Sequence, residues 1–353
     1  MKSFAVTDKQ TIIEVSTGKV IYFGLDDFKE KIVDGDACFI CGAMPGEKEF
    51  NNEHIIPNWI LRKHQLHNKE IHVTDKRSVK YSSYTVPCCK ECNEDLGRLL
   101  EKPVNELLKN PYREVARAIK KNPDIFKLLY RWMSLLFIKT HLKDTYYLEQ
   151  LDRRKHAGYL GDSYDWNNIH HIHCMSRMHF TDAIIDPEVY GSILVLPVLN
   201  NSADKFDYND HMLGKTSMII LDDICIMAIL DDAGMVANMI RETLQKINGP
   251  LTPYQVKEIF SHLIFGNIHL EPRPVFSSTI TFDGKYVIEV KIPETFQLTQ
   301  QKIISPGELL HFYAEKFIPD DLPERNQVLE DIKLGKRAYL FNEKGEFIQH
   351  EIP

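Results

Sequence analysis

Two Cys-x-x-Cys pairs enclose a Glu-His pair near the beginning of this sequence. The first pair is Cys38 and Cys41, the second is Cys89 and Cys92, and the segment EHIIP at 53–57 lies between them. Two such pairs can supply the four thiolates of a tetrahedral structural zinc site. A carboxylate beside an imidazole offers a cation ligand next to a general base. The combination predicts a metal-dependent phosphodiesterase that cleaves nucleic acid.

The residue types at this site suit the steps of phosphodiester hydrolysis. The anionic phosphate repels a nucleophile, so a divalent cation that neutralises it and a base that deprotonates water both lower the barrier. His54 has a side chain that titrates near neutral pH and can be that base. Glu53 is a hard oxygen ligand for Mg²⁺ or Mn²⁺. Asn93, directly after the last cysteine, can offer its side-chain carbonyl to the same ion.

The runs CFICG, EHIIP and CKECNEDLGRLLE resemble the zinc-containing HNH endonucleases, in particular a subgroup with the pattern C-x-x-C…EHIIP…C-x-x-CN. The resemblance covers residues 36–108 and implies a ββα-metal fold, in which a hairpin carries the base and a helix completes the metal site. It implies that His54 is the general base and that Glu53 and Asn93 bind Mg²⁺ or Mn²⁺. It further implies a structural zinc held by Cys38, Cys41, Cys89 and Cys92.

The sequence departs from this family at two positions. Many members carry an Asn about five residues before the third cysteine that orients the base, and Tyr84 stands there in this chain. Ser82, Ser83 or a backbone carbonyl are the alternatives for that role. Some members have a second helix ligand four residues after the first, where this chain has Gly97. Glu101, two helical turns beyond Asn93, is expected to reach the site only through water.

Two further groups of metal-binding residue types have simpler interpretations. Cys88 adjoins Cys89, but the C-x-x-C spacing begins at Cys89, so we interpret Cys88 as a small buried residue. The run IHHIHC at 169–174 is predicted to be a strand, whose alternation would place His171 and His173 on one face. Because no carboxylate or cysteine pair accompanies them, structural histidines are favoured over a second metal site.

The sequence predicts an α+β protein that combines an N-terminal ββα-metal zinc-knuckle module with a larger mixed α/β domain. We expect a β-hairpin extension at 1–35, the nuclease module at 36–121 and a domain of unassigned role at 122–353. The last begins with a helical stretch at 122–143, followed by a candidate linker at 144–168.

Shorter elements follow from local patterns. Residues 11–24 predict a hairpin that turns at Thr17-Gly18. A helix is expected from about Asn93, in which Pro103 would kink or divide the helix. In the C-terminal part we predict strands at 190–199 and 217–230, helices at 232–247, 253–265 and 306–317, and hairpins at 279–292 and 339–350.

Positive charge is concentrated around the proposed site. The whole chain of 353 residues has a net charge of −7, whereas residues 58–121 contain 14 Lys and Arg against 8 Asp and Glu, a net charge of +6. A local excess of this kind suits phosphate contacts, although it is also found on ordinary solvated surfaces. The candidates for backbone phosphate contacts are Arg62, Lys63, Lys76, Arg77 and Lys80.

The composition and the cysteine spacing limit the partners and the cellular compartment that we expect for this chain. The longest apolar run, at 128–138, is too short to span a bilayer and contains Arg131, so no membrane partner is expected. Knuckle-spaced cysteines favour a reducing cytoplasm. The expected partner is DNA, with a role in restriction or phage defence, and a homo-oligomer is one option because one site cuts one strand. The alternatives are a catalytically decayed zinc-stabilised binding or interaction module and an RNA-cutting toxin.

Overall fold

The computed structural model describes residues 3–72, 78–149, 158–199, 205–301 and 303–350. The strands are β1 Phe4–Val6, β2 Ile12–Glu14, β3 Lys19–Tyr22, β4 Glu53–His54, β5 Glu70–His72, β6 Ser78–Lys80, β7 Thr85–Val86, β8 Ile184–Ile185, β9 Ile193–Pro197, β10 Phe206–His211, β11 Thr216–Leu221, β12 Ile224–Ile229, β13 Leu270–Glu271, β14 Val275–Ile280, β15 Tyr286–Lys291 and β16 Gln297–Leu298.

The helices are α1 Leu25–Asp27, α2 Asn58–Lys63, α3 Lys90–Leu96, α4 Lys102–Leu108, α5 Tyr112–Lys121, α6 Asp124–Asp144, α7 His170–Ser176, α8 Met178–Thr181, α9 Met235–Met239, α10 Arg241–Gln245, α11 Pro253–Ile268, α12 Pro306–Ala314 and α13 Arg325–Lys333. This mixture of helices and strands confirms the coarse prediction of an α+β protein.

The chain divides into two compact units. The first consists of Met1–Lys109, Lys127–Val189 and Phe276–Val290, and the second of Asn110–Phe126, Tyr190–Val275 and Lys291–Pro353. Each unit is therefore built from separate stretches of sequence. The predicted boundaries at residues 36 and 122 stay predictions.

Short antiparallel ladders organise the site region of the first unit. Strands β1, β2 and β3 form one sheet, which includes the predicted hairpin at 11–24. Strand β4 pairs with β7, with Glu53 opposite Val86 and His54 opposite Thr85. Helix α2 begins directly after Pro57, whose fixed φ suits a helix start. The strand that carries the Glu-His pair is thus fixed on both sides by local structure.

A single helical segment follows β7 and contains a π-helical turn. Helices α3 and α4 are joined without a break by the π-helix Gly97–Glu101. Pro103 lies in the first turn of α4, where its missing N–H removes one i→i−4 hydrogen bond. The wider π turn beside it adds one residue before α4 starts, which changes the direction in which Glu101 projects. The predicted helix near Asn93 is therefore present, and the interruption lies just before Pro103.

Helix α6 forms the core of the first unit and agrees with the predicted helical stretch at 122–143. Nearly every residue from Leu129 to Leu142 is buried, including Trp132, Phe137 and the charged residue Lys139. The hydrophobic effect stabilises such a helix on all its faces. A lysine inside it needs a partner, because an unpaired buried charge is costly.

The predicted strand at 169–175 was wrong, because residues 170–176 form helix α7. His170, Ile172, His173, Cys174 and neighbouring residues are buried on several faces of this helix. A short run that is buried all round carries no periodicity that separates a helix from a strand. Of the candidate linker, residues 150–157 lie outside the described residues, and the short 3₁₀ segments Leu160–Ser163 and Trp166–Ile169 precede α7.

The second unit is built on a four-stranded antiparallel sheet in the order β10-β11-β12-β9. Every residue of β11 and β12 is buried, and residues of α11 and α12 belong to the same apolar core. Helix α11 starts with a capping box in which Thr252 and Gln255 bond reciprocally. The predicted helices at 253–265 and 306–317 and the predicted strand at 190–199 are present. The single strand predicted at 217–230 was wrong, because a tight turn at Asp222-Asp223 divides it into the hairpin of β11 and β12, and β10, α5 and α13 were not predicted.

Within the described ranges, no helix is both long enough and apolar enough to cross a membrane.

Candidate metal centre and active site

The first cysteine pair lies on a tight turn that the backbone itself closes. The N–H of Gly42 donates to the carbonyl of Cys38 at 2.8 Å, and the N–H of Cys38 donates to the carbonyl of Ala43 at 2.9 Å. Gly42 has a φ of +77°, and a Cβ at this position would lie 2.5 Å from the ring of Phe23. Only glycine fits this turn, which places the two sulfurs on one side of the chain.

The second pair lies at the start of a helix. Cys89 is the N-cap residue of α3, and Cys92 follows in its first turn, so the two side chains share a helix face. A backbone bridge joins Cys89 to Phe50, and the N–H of Lys90 donates to the carbonyl of Glu49. The backbone before Glu53 is thus paired with the backbone that carries the cysteines.

The structure brings the four predicted cysteines together. The Sγ atoms of Cys38, Cys41, Cys89 and Cys92 all lie within 4.8 Å of one another. Those of Cys41 and Cys89 are 3.7 Å apart, and a tetrahedral zinc–thiolate site places its sulfurs about 3.8 Å apart. All seven cysteines of the chain are described and are free thiols. The donor type, number and spacing are therefore compatible with a structural zinc ion.

Cys88 lies beside this cluster without belonging to it. Its Sγ is 3.9 Å from that of Cys38 and 3.5 Å from the carbonyl oxygen of Cys89. Hydrogen bonds from the thiols of Cys41, Cys88 and Cys92 lower the pKa of Cys38, and the thiolate of Cys38 in turn raises the pKa of Cys41 to about 12. In the free cluster Cys38 is therefore the favoured thiolate, and the neighbouring thiols stay protonated and donate to it.

Helix α7 and the residue that follows it hold the first knuckle through His173, which the sequence favoured as a structural histidine, and Arg177, which the sequence did not single out. His173 Nε2 bonds to the carbonyl of Phe39 at 2.7 Å, and Arg177 Nε donates to the carbonyl of Ile40 at 2.5 Å. Arg177 also donates to the carbonyl of Val20 at 2.7 Å. Burial lowers the pKa of His173, so its ring is neutral and Nε2 carries the proton. The histidine-rich run therefore supports the cysteine turn directly.

His54, the predicted base, lies on strand β4, which follows the backbone segment that is paired with Cys89. His54 is half-buried, and burial is the largest cause that lowers its pKa below 6.5. A backbone hydrogen bond with Ser82 acts in the opposite direction. A hydrogen bond raises the pKa of a histidine when the ring donates it, so the group of Ser82 that takes part is its carbonyl, the backbone acceptor. Of the alternatives for orienting His54, a backbone carbonyl is therefore the group that contacts the ring, and its orienting role stays a prediction. Tyr84, where family members carry Asn, is buried and accepts from the N–H of Ile55 through its carbonyl.

Glu53 belongs to a buried charge cluster. Lys139 of α6 is fully buried, and its Nζ donates to Glu53 Oε1 at 2.7 Å and to the carbonyl of His54 at 2.6 Å. Glu101 lies at 3.9 Å from the same Nζ. Burial, with the charge of Glu53 as the next cause, raises the pKa of Glu101 to about 8. Glu101 also bonds to Glu53, so the expectation that it reaches the site only through water was wrong.

Asn93 lies near the other end of the same strand. Its Nδ2 donates to Asn51 Oδ1 at 3.0 Å and to the carbonyl of Asn52 at 2.6 Å. These bonds leave Oδ1 as the atom of Asn93 that a cation could use. Glu53, in contrast, would have to share its carboxylate with Lys139. Among the described residues, the four cysteines are the only group of three or more His, Cys, Asp or Glu that could share a metal ion, so the predicted ligands do not form a preassembled site for Mg²⁺ or Mn²⁺.

The residues that are predicted to contact phosphate lie on different elements of the structure. Arg62 and Lys63 are exposed in the last turn of α2, and Lys80 is exposed at the end of β6. Lys76 and Arg77 lie outside the described residues. Basic side chains at the end of α2 are close in sequence to the proposed base, and they can approach a nucleic-acid backbone from solvent.

No protein-family model, no curated protein and no solved structure matches this chain.

Proposed function

We propose that this chain is a metal-dependent HNH endonuclease that hydrolyses phosphodiester bonds in DNA. The observation that carries the proposal is the state of His54. Its ring is half-buried, has a lowered pKa and bonds to the Ser82 carbonyl, on a strand that is paired next to the four-cysteine cluster. Such an imidazole is neutral at neutral pH and can accept a proton. The order β4, β7 and α3 supports the ββα-metal arrangement that the resemblance implies.

In the proposed reaction His54 takes a proton from a water molecule. The water oxygen forms a bond to phosphorus while the P–O3′ bond breaks, and the leaving O3′ takes a proton from solvent. The products carry a 5′-phosphate and a 3′-hydroxyl. The Ser82 carbonyl bonds to the imidazolium that forms and therefore favours proton transfer to this ring. Arg62, Lys63 and Lys80 would contact the DNA backbone and position it.

Two metals have separate parts in this proposal. Cys38, Cys41, Cys89 and Cys92 would hold zinc, which fixes the turn at Gly42 to the start of α3 and so stabilises a small module with little core of its own. A Mg²⁺ or Mn²⁺ ion would supply charge neutralisation at the phosphate. Asn93 is the predicted ligand whose geometry suits this ion, whereas Glu53 is engaged by Lys139. The resemblance, more than the assembled donors, supports this second ion.

The proposal is tested by nicking of supercoiled plasmid. Purified zinc-loaded protein is incubated with plasmid DNA and Mg²⁺ or Mn²⁺, beside the variants His54→Ala and His311→Ala. His311 is a half-buried histidine of α12 and serves as the matched control. We expect wild type and His311→Ala to nick the plasmid and His54→Ala to lose at least about a hundredfold in rate, the usual contribution of a general base.

Two results would contradict the proposal. The first is the absence of nicking by wild type with either metal while the protein still binds DNA, which would favour the decayed binding module. The second is equal nicking by wild type and His54→Ala. Parallel reactions with single-stranded DNA and RNA address the remaining alternative, since a preference for RNA would indicate an RNA-cutting toxin.

A further inference from the structure

A cavity of about 370 Å³ opens beside helix α2 in the first unit. Asn58, Trp59, Arg62 and Lys63, all from α2, form one side of it. This volume lies in the size range of pockets that bind small organic ligands. The side chains combine an aromatic ring, a carboxamide and two cations, which is an unusual set for a wall that serves only packing.

The other side of the cavity comes from the helical segment with the π turn. Glu101, Lys102 and Asn105 contribute here. The wall as a whole thus holds three cationic side chains, those of Arg62, Lys63 and Lys102, against the one carboxyl group of Glu101. Together with Arg62 and Lys63, Lys102 therefore gives the cavity a positive potential, which favours an anionic ligand.

Two wall residues carry a buried polar atom that lacks a hydrogen-bond partner. Among the described residues, neither Trp59 Nε1 nor Glu101 Oε1 makes a hydrogen bond. One is a donor and the other an acceptor, or a donor when protonated. Buried polar atoms without partners are uncommon and require an explanation. Both atoms are inaccessible to solvent, and Glu101 Oε1 lies 3.9 Å from the ammonium group of Lys139. They therefore lie behind the cavity wall, and the groups that a ligand can meet are the three cations, the carboxamides and the Trp59 ring.

One side chain of the cavity wall also belongs to the charge cluster at the proposed active site. Glu101 lines the cavity and bonds to Glu53, the residue before His54. A ligand that contacts Glu101 would therefore be one side chain away from Glu53. The opening of the π turn is what brings Glu101 into this position, and such turns occur often at functional sites.

We propose that this cavity binds one nucleotide, with its phosphate on Arg62 and Lys102 and its base against Trp59, Asn58 and Asn105. Guanidinium and ammonium groups suit phosphate, an aromatic surface suits a base, and carboxamides suit base edges. The inference rests on the proposed function in one respect, namely that the nucleotide belongs to the strand being cut. A free nucleotide offers the same chemistry. A base inside the cavity has left its stack, so single-stranded or locally opened DNA is the substrate form that fits.

Binding of thymidine 5′-monophosphate tests the proposal. Zinc-loaded, full-length His54→Ala protein without divalent cation is titrated calorimetrically with the mononucleotide, with inorganic phosphate, with a single-stranded oligothymidylate and with a blunt DNA duplex. The same titrations are run on this protein with Arg62→Gln and Lys102→Gln added. The matched control adds Lys109→Gln, an exposed lysine that follows α4 and bonds to Glu106.

We expect saturable binding of the mononucleotide or the single strand, weaker by about tenfold or more in the double replacement and unchanged in the Lys109→Gln control. A preference for the single strand over the free nucleotide identifies a strand subsite, and the reverse identifies a free-nucleotide site. The absence of saturable binding, equal losses in the control, or inorganic phosphate binding as tightly as the nucleotide would overturn the proposal. Because no cleavage is measured, a protein that binds without nicking refutes only the nuclease function, and one that nicks without binding here refutes only this inference.

Discussion

The four-cysteine cluster and the Glu53–His54 strand are neighbours in one small module, yet the protein supports them in different ways. The cluster consists of four identical soft donors, and its turn is held by His173 and Arg177, which bond to backbone carbonyls. The strand is held by Lys139, which bonds to a carboxylate as well as to a carbonyl. One region is thus organised by neutral acceptors and the other by a buried ion pair.

This difference reflects what each region has to do. A structural metal site is closed, so its ligands gain from being positioned before the metal arrives. A site that transfers protons needs groups whose charge can change, and such groups lie close to compensating partners. Lys139 fixes the strand while Glu101 keeps a proton near it, and His54 remains half-exposed. We expect damage to the first region to abolish the fold of the module and damage to the second to weaken it.

The largest expected effect is the loss of a cluster cysteine. Cys38→Ser should reduce zinc from about one ion per chain to almost none and unfold the first unit, because structural zinc contributes on the order of 10 kcal/mol to the folding of small modules. Elemental analysis and limited proteolysis measure the two effects. Cys88→Ala is the control, since its sulfur lies beside the cluster but outside it, and it should retain zinc. Loss of zinc from Cys88→Ala would show that the ligand assignment is wrong.

The next largest effect is expected when the buried ammonium group of Lys139 is removed. Lys139→Met should lower the free energy of unfolding by about 3–5 kcal/mol, because it leaves Glu53 with an uncompensated buried charge. Urea unfolding measures this change. Combining Lys139→Met with Glu53→Gln removes both charges and should recover more than half of the loss. If the double variant is no more stable than the single one, the ion pair is not what holds the strand.

The contrast between the regions also explains how much could be predicted. The cysteine cluster depends on two tight local spacings, which are visible in sequence, and the structure assembles all four residues as expected. The partner of Glu53 lies 86 residues away, on α6. A signal for it did exist, because Lys139 is the one fully charged side chain in the largely apolar run WMSLLFIKTHL. A charge in such a run needs a partner, although nothing in the sequence says which one.

Other features of the site were beyond the reach of pattern analysis. The group that bonds to the His54 ring is a main-chain carbonyl, which every residue possesses, so the sequence does not distinguish Ser82 from its neighbours. The π turn at Gly97–Glu101 changes the direction of Glu101, and helical spacing counted in steps of 3.6 misses such a change. The histidines of α7 were misread as a strand because their burial hides any period.

A smaller effect is expected when Arg177, the cation beside the cysteines, is replaced. Arg177→Met should cost about 2–4 kcal/mol, because its three bonds to carbonyls are lost and these acceptors stay buried. It should also weaken zinc binding by about ten- to a hundredfold, as loss of groups that orient ligands does. Zinc transfer to a chromogenic chelator measures this. Lys139→Met is the control, because it lies in the other region and should leave the rate of zinc release unchanged. If both variants release zinc equally fast, the two regions are not supported separately.

The smallest effect concerns acid sensitivity, which the buried histidines of α7 predict. Burial lowers the pKa of His170 to about 4, and its ring packs against Phe28 and Tyr22. In the unfolded chain the same ring titrates near 6.5, so between these values the unfolded state binds more protons. Stability is therefore lost as the pH falls from about 6.5 to 4, by about 2 kcal/mol for this residue between pH 7.5 and pH 5. His170→Phe removes the titrating group and should make urea unfolding that much less pH-dependent. Zinc release at low pH affects wild type and variant equally, so the difference between their unfolding free energies reports on His170 alone. Parallel pH profiles would mean that His170 is protonated in the folded protein.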